Sequence, residues 1–337
     1  MNFNRLNNIV GWIVCLIACT VYVLTMEATG SFWDCGEFIS TAYKLQIPHP
    51  PGAPLYTLLG RFFIILFGDD PSTAALGVNF MNAIASGFTI LFLFWTITHF
   101  GRKIVQKSPD QLSQPELFTI LAAGVVGALA YTFSDSFWYS AVEGEVYALS
   151  SLFTAIVFWA ILKWEHEVDR ESKTDGHRFS RADRWLIFIF YMMGLSIGIH
   201  LLGLLTIPAI VMVYYFKRYK VTRWGTFFAF LIGCLITGIA QVVIIQWSIK
   251  GAGAFDIFFV NEVGTPFFTG FALYFLLLAT LLVLGLRFKD AHLEKFTLFP
   301  VWLSAIILLF CFPFIKSAGS AIILFLGLGV LICICYF

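Results

Sequence analysis

Two short stretches concentrate side chains suited to acid–base work. Residues 31–37 read Ser-Phe-Trp-Asp-Cys-Gly-Glu, and residues 48–54 read Pro-His-Pro-Pro-Gly-Ala-Pro. Asp34 and Glu37 stand three apart, so a helix there sets both carboxylates on one face, with Phe32, Trp33 and Phe38 beside them. Partial desolvation next to aromatic rings raises a carboxylate toward the range useful for a general base. The plainer reading is a pair of helix-N-terminal acids beside an aromatic belt. His49 follows in a turn stiffened by prolines. There it can carry charge or donate a hydrogen bond, or simply cap a loop-to-helix junction.

A second group lies at residues 134–147, Ser-Asp-Ser-Phe-Trp-Tyr-Ser-Ala-Val-Glu-Gly-Glu-Val-Tyr. Asp135, Glu143 and Glu145 combine carboxylate acceptors with the rings of Trp138, Tyr139 and Tyr147, and Trp33 offers another ring. That combination suits a pocket for sugar hydroxyls. Against it, an acid at a helix start suits the helix dipole, and Trp138 and Tyr139 can be interfacial anchors.

Three further residues place a charge or a polar ring in or beside apolar runs. His200 sits in the apolar run Gly-Ile-His-Leu-Leu-Gly, where a histidine is costly and often functional, or bonds a carbonyl across a turn. Arg61, within Pro-Leu-Tyr-Thr-Leu-Leu-Gly-Arg-Phe-Phe, needs an anionic partner or must reach the interface; a lipid phosphate qualifies. Lys250 follows a long apolar run. Gly194 and Gly198 have the spacing of close helix packing rather than of catalysis.

The elements that must position these residues are membrane helices. Of 337 residues, 59% are hydrophobic, 18% aromatic and only 12% charged, about half the charged share of soluble domains. So few charges cannot cover a soluble surface of this size. A net charge of +1 also excludes a nucleic-acid binder, which needs a basic excess. Seven cysteines, an odd number mostly inside apolar runs, indicate no disulfide framework. The expected fold is an all-α polytopic bundle.

A bilayer core takes about 20 apolar residues per helix. Full-length candidates are 9–26, 75–99, 117–133, 145–164, 224–248, 270–286, 297–313 and 320–337. The block 185–216 is too long for one span and is expected to form two short helices turning near His200. With 53–67 taken as interfacial or re-entrant, ten spans follow a cytoplasmic N-terminus. Lys and Arg then crowd the inner side at 5, 102–107, 163–184, 217–223 and 287–295, leaving Lys44, Arg61, Lys250 and Lys316 outside. The outer face, with the first loop 27–74, carries the acidic clusters.

There is no Walker loop, no His/Cys metal spacing, no Gly-x-Ser-x-Gly and no dinucleotide fingerprint. Nor does a chain of intramembrane acids suggest an ion pump.

An acidic first outer loop, then His-Pro-Pro, then a short interfacial helix resembles the plan of the GT-C membrane glycosyltransferases, and most closely the protein O-mannosyltransferases. Trp-Asp-Cys-Gly-Glu-Phe, His-Pro-Pro-Gly-Ala-Pro-Leu-Tyr and Glu-Gly-Glu-Val-Tyr-Ala-Leu-Ser are similar to a bacterial family long labelled only as a domain of unknown function, and to animal O-mannosyltransferases acting on plexin-type receptors. The resemblance runs over about residues 5–320. It implies one GT-C-like membrane domain over 1–337, in a bacterial inner membrane, continued by a periplasmic part beyond this chain. It also implies a polyprenyl-phosphate-linked sugar, an exported protein acceptor, contact with membrane lipids, and inverting transfer to Ser or Thr on the outer face.

Asp34 matches the acidic position and would be the base, with Glu37 orienting the acceptor or sharing that role. His49 matches the His-Pro-Pro histidine and would contact donor phosphate, and with such a donor His49, Arg61, His200 or Lys250 could stabilise the leaving phosphate. The O-mannosyltransferases have adjacent Asp-Glu, whereas two residues intervene here, so the base is either Asp34 or Glu37. Some GT-C relatives use a divalent metal and others do not; no metal ligands are assigned from the sequence. Transfer to a lipid or envelope glycan, and a non-catalytic polyprenol-lipid flippase or scaffold, are the alternatives.

Overall fold

A computed structural model describes residues 2–107, 111–171, 181–290, 299–315, 324 and 326–328. Every regular element among them is helical. The chain forms two compact units, 1–234 and 235–337.

The first unit is built on four long helices, α1 (Phe3–Thr25), α4 (Ala74–Val105), α5 (Gln114–Thr132) and α7 (Val146–Glu171). Small residues let α1 and α4 approach: a Cβ added at Gly87 would meet Cys19 at 2.1 Å, and one at Gly11 would meet Phe94 at 3.0 Å. Lipid competes poorly for such contacts, so close packing replaces the hydrophobic effect as the driving force between spans. Val14, Ala18, Tyr22, Ile90, Phe94, Leu121 and Ala128 form the resulting core. The start of α5 carries a capping box, with the Ser113 N–H and hydroxyl both donating to Glu116.

Two short helices, α2 (Cys35–Lys44) and α3 (Pro54–Leu66), join α1 to α4. At 13 residues α3 is too short to span, as an interfacial assignment requires. It lies on α4, where a Cβ at Gly77 would meet Ile64 backbone at 3.0 Å. α6 (Asp135–Val142) then leads from α5 into α7.

The apolar block at 185–216 breaks where expected. α8 (Arg181–Ile197) ends, His200 is extended, a 3-10 turn covers Leu201–Thr206, and α9 (Ile207–Arg218) starts with Pro208 in its first turn. Proline cannot bond back to a preceding turn, so the two pieces cannot fuse into one helix. Of the two glycines read as packing positions, only Gly198 is tight, with a built Cβ 2.9 Å from Leu55; Gly194 faces open space.

α10 (Arg223–Ile239) continues through a π-helical stretch (Ala240–Trp247) into α11 (Ser248–Phe258) and a second π segment to Val263. Lys250, expected just beyond the end of a span, therefore lies inside a helix. In the second unit, α12 (Thr269–Asp290) and α13 (Phe299–Cys311) follow, and Tyr274 is fully buried with Ala252 and Leu309.

Where ten spans were expected, six helices are long and apolar enough to cross a membrane among the described residues. These are α1, α4, α5, α7, Leu201–Arg218 and Arg223–Val263; Thr269–Gly285 and Trp302–Phe314 are shorter apolar helices. The expected span 320–337, Lys316 and parts of the basic segments 163–184 and 287–295 lie largely or wholly outside the described residues.

Candidate functional site

Asp34 is the N-cap residue of α2, and Glu37 stands in its first turn, where the helix dipole favours an anion. Trp33, with φ of 56°, is left-handed and reverses the chain before the helix. Cys35, Phe38, Ile39 and Ala42 form the buried face of α2, leaving both acids toward solvent. The loop back to α3 bends at Leu45, Gly52 and Ala53, all with positive φ. The Gly52 N–H donates to the His49 carbonyl at 2.9 Å. The first free N–H groups of α3, on Leu55 and Tyr56, donate to the Gly198 carbonyl at 2.7 and 3.2 Å. This ties the proline-rich loop to the break after α8.

That loop carries His49 onto both acids. Its backbone N–H donates to Glu37 Oε1 at 2.5 Å, and its Nδ1 lies 3.0 Å from Glu37 Oε2. Nε2 is 4.0 Å from Asp34 Oδ2. Glu37 is held below the usual carboxylate range by the hydrogen bonds from the His49 ring and backbone. His49 is raised above the ordinary imidazole value by Glu37, with the charges of Asp34 and Glu145 adding to it. The Phe38 ring lies 5.7 Å from the imidazole and 5.3 Å from Tyr56.

Glu145 closes the cluster from the start of α7. It is 6% exposed and receives the Cys35 thiol at 3.9 Å. Burial, then the charges of Asp34 and Glu143, raise its carboxyl. Burial, with Glu143 and Glu145 nearby, likewise pushes the Cys35 thiol up to about 12, which favours the thiol over the thiolate.

Beneath the cluster are residues that the sequence reading passed over. The fully buried Asn82 donates to the Glu143 and Glu145 carbonyls at 2.6 and 2.7 Å and lies 3.1 Å from Tyr56 Oη. Asn79, one turn earlier and equally buried, donates to the Glu27 and Thr29 carbonyls. Together they staple both acidic loops to α4. The signal was present: two amides spaced i, i+3 in an otherwise apolar span are costly unless they bond something.

A small cavity of about 50 Å³ opens among Asp34, Phe38, His49, Glu145, Tyr147 and His200. Tyr147 and His200 face each other with ring centres 5.4 Å apart. His200 Nδ1 accepts the Leu202 N–H at 3.1 Å, which puts the proton of the neutral ring on Nε2, and burial lowers its pKa. The site thus combines an imidazole biased toward the charged form, His49, with one biased toward the neutral form. Leu202, Leu205 and Thr206, on the turn after His200, line a mainly apolar cleft of about 800 Å³ with Thr89, Ser150 and Phe158.

The remaining sequence candidates lie elsewhere. Arg61 forms a two-pronged ion pair with Asp69, at 2.6 and 3.1 Å, and sits over the Tyr43 ring. Trp138 packs on Tyr22 and Phe133. Asp135 is exposed at the start of α6, and Trp33 is 94% exposed. Glu143 contributes its carbonyl to Asn82 and a charge near Cys35, but does not line the cavity. Lys250 is an exposed residue of the second unit.

Asp34, Glu37 and His49 present one ligand atom each within 4.8 Å of one another. Two carboxylates and an imidazole are a donor set that fits a divalent cation.

Residues 34–223 match the family described as Protein O-mannosyl-transferase TMEM260 N-terminal domain. The chain is 24% identical over 207 residues to the protein O-mannosyl-transferase tmem260 of Dictyostelium discoideum, covering 58% of this chain and 22% of that protein. It is 30% identical over 145 residues to the protein O-mannosyl-transferase TMEM260 of Mus musculus, covering 43% of this chain and 18% of that one. The matched part is thus about a fifth of the length of either relative. No solved structure matches the chain.

Proposed function

This chain belongs to the family of the protein O-mannosyl-transferase TMEM260 N-terminal domain, and on that premise we propose that it transfers mannose from a polyprenyl-phosphate donor to Ser or Thr hydroxyls of exported proteins. The observation that carries this reading is the Asp34–Glu37–His49 cluster, sealed by Glu145 and His200 at one end of long apolar helices and within the matched residues.

Asp34 is the base. It has the freest carboxylate of the cluster, since both Glu37 oxygens are engaged by His49 and Glu145 is buried. The acceptor hydroxyl gives its proton to Asp34 while its oxygen attacks the anomeric carbon. The carbon–oxygen bond to phosphate breaks, and the polyprenyl phosphate leaves with the electron pair. One displacement from the face opposite the phosphate inverts the anomeric centre. Glu37 favours the protonated form of His49, whose cation, with the His200 Nε2–H, would meet the charge gathering on the phosphate. A divalent cation, held by Asp34, Glu37 and a deprotonated His49, would take the place of that imidazolium and supply Lewis-acid stabilisation of the same charge. Tyr147 offers a stacking surface for the sugar.

The 800 Å³ cleft beside His200 suits the apolar chain of such a donor arriving from the bilayer. We place the cluster on the periplasmic face of a bacterial inner membrane, with the N-terminus cytoplasmic, because the basic residues crowd the other end.

Membranes containing the full chain, given radiolabelled polyprenyl-phosphate mannose and a Ser/Thr-rich exported protein, should label the protein. Labelling from a nucleotide-linked mannose alone, in membranes free of polyprenyl phosphate, would contradict the donor assignment.

A further inference from the structure

The opposite end of the first unit holds a larger cavity that the transfer reaction does not use. It has a volume of about 820 Å³ and is lined from α1, α4 and α7, by Asn7, His99, Arg102, Trp159 and Lys163 among others. His99 is 17 residues along α4 from Asn82, so roughly 25 Å of helix separates this cavity from the His49 cluster.

Its charge is one-sided. No Asp or Glu lines it among the described residues. Neighbouring lysines are spoken for: Lys103 by Glu165, Lys107 by Glu116, and Lys217 by Glu165 and Asp169. Arg102 and Lys163, by contrast, have no carboxylate partner within 4 Å among the described residues. Lys163 instead lies over the Trp159 ring, 5.1 Å from its centre. The first turn of α1, whose Phe3 and Asn4 reach the cavity, contains no acid to balance the positive end of its dipole. Three buried polar atoms of wall residues, His99 Nε2, Trp95 Nε1 and Asn7 Oδ1, have no hydrogen-bond partner among the described residues. Burying polar groups unsatisfied costs about 1–3 kcal/mol each, and two uncompensated cations side by side add repulsion.

A group that brings negative charge and several acceptor oxygens balances both cations and can accept from the His99 and Trp95 ring N–H groups, and from Asn7 once its amide is turned to present the NH2. We propose that this cavity binds a phosphate group, held by Arg102 and Lys163 with His99 and the amide of Asn7 as hydrogen-bonding partners. The tryptophans Trp12, Trp95 and Trp159 in its wall accommodate an apolar or planar remainder. A lipid headgroup and a soluble phosphate share the recognised chemistry, and the test separates them.

The full chain in detergent is titrated calorimetrically with dioctanoyl phosphatidic acid, with inorganic phosphate and with dioctanoylglycerol. Phosphatidic acid should bind, dioctanoylglycerol should not, and R102Q/K163Q should weaken binding about tenfold or more, equivalent to about 1.4 kcal/mol. The charge-conserving R102K/K163R should retain it, which separates lost recognition from misfolding. Phosphate binding as tightly as phosphatidic acid, with the same dependence, identifies a soluble ligand; phosphatidic acid binding alone identifies a lipid. The proposal fails if neither phosphate compound binds, if dioctanoylglycerol binds equally well, or if R102Q/K163Q binds like the wild type. It also fails if the binding is lost in His49→Ala instead, which would assign it to the other end of the unit.

Discussion

Glu37 holds His49 with both of its oxygens, and the pair has a definite pH signature. Glu37 is lowered in the folded protein, so its contribution to stability is present above the ordinary carboxylate value and is lost as pH falls through the lowered one. His49 is raised, so its contribution is full below the ordinary histidine value and is lost as pH rises through the raised one. The pair therefore stabilises most between those two ordinary values, from about pH 4.5 to 6.5. Glu37→Gln should lower the melting temperature most within this window, remove its decline on either side, and lower the His49 midpoint in an NMR titration. An unchanged midpoint would show that Glu37 does not set the charge of His49.

This cluster was legible from sequence because its residues sit in short motifs. Helical spacing alone put Asp34 and Glu37 together, and the prolines marked a turn at His49. Arg61 was not legible in the same way. Its partner Asp69 lies eight residues on, past the turn that ends α3, and helical spacing does not foresee a pair closed by a turn. Glu145 and Asp135 looked alike in sequence. What separates them is that Glu145 begins α7 under α2, while Asp135 begins a surface helix.

At the scale of elements, the site depends on how tightly helix ends meet. The Gly198 carbonyl receives two N–H groups of α3, and its Cα has Leu55 against it. Gly198→Ala should therefore destabilise the protein by about 1–3 kcal/mol, the usual cost of overpacking. Gly194→Ala, four residues away in open space within α8, should be neutral or gain up to about 1 kcal/mol of helix propensity. Equal effects of the two on thermal unfolding would contradict the tight contact. Asn82→Ala leaves the Glu143 and Glu145 carbonyls buried without their donor. It should cost about 1–3 kcal/mol and depress transfer, by releasing the segment that carries Glu145. Hydropathy locates α4 well but is blind to this role, since two amides hardly alter the mean of a 32-residue helix.

At the scale of the molecule, the two ends of the first unit differ in charge. Asp34, Glu37 and Glu145 gather at one, and Arg102, Lys103 and Lys163 at the other. With α3 interfacial, no span separates residue 28, after α1, from residue 70, before α4. Cysteines placed at Ala28 and Asp70 should thus react with an impermeant thiol reagent from the same side of intact membranes. Labelling from opposite sides would move α3 into the bilayer and reverse the basic segments that follow. Composition made the all-α membrane fold plain, but helix length decides spans, and the long run from Arg223 to Val263 shows how an apolar stretch can outgrow the span drawn from its hydropathy.

The most direct test of the account is sugar transfer by the reconstituted full chain against its Asp34→Asn variant. The Asp34 side chain makes no capping hydrogen bond to α2, so the isosteric change should leave the thermal transition in place. With polyprenyl-phosphate mannose and an exported protein acceptor, transfer should fall about 10²- to 10⁴-fold, the usual contribution of a general base. Transfer at the wild-type rate by a folded Asp34→Asn protein would contradict it.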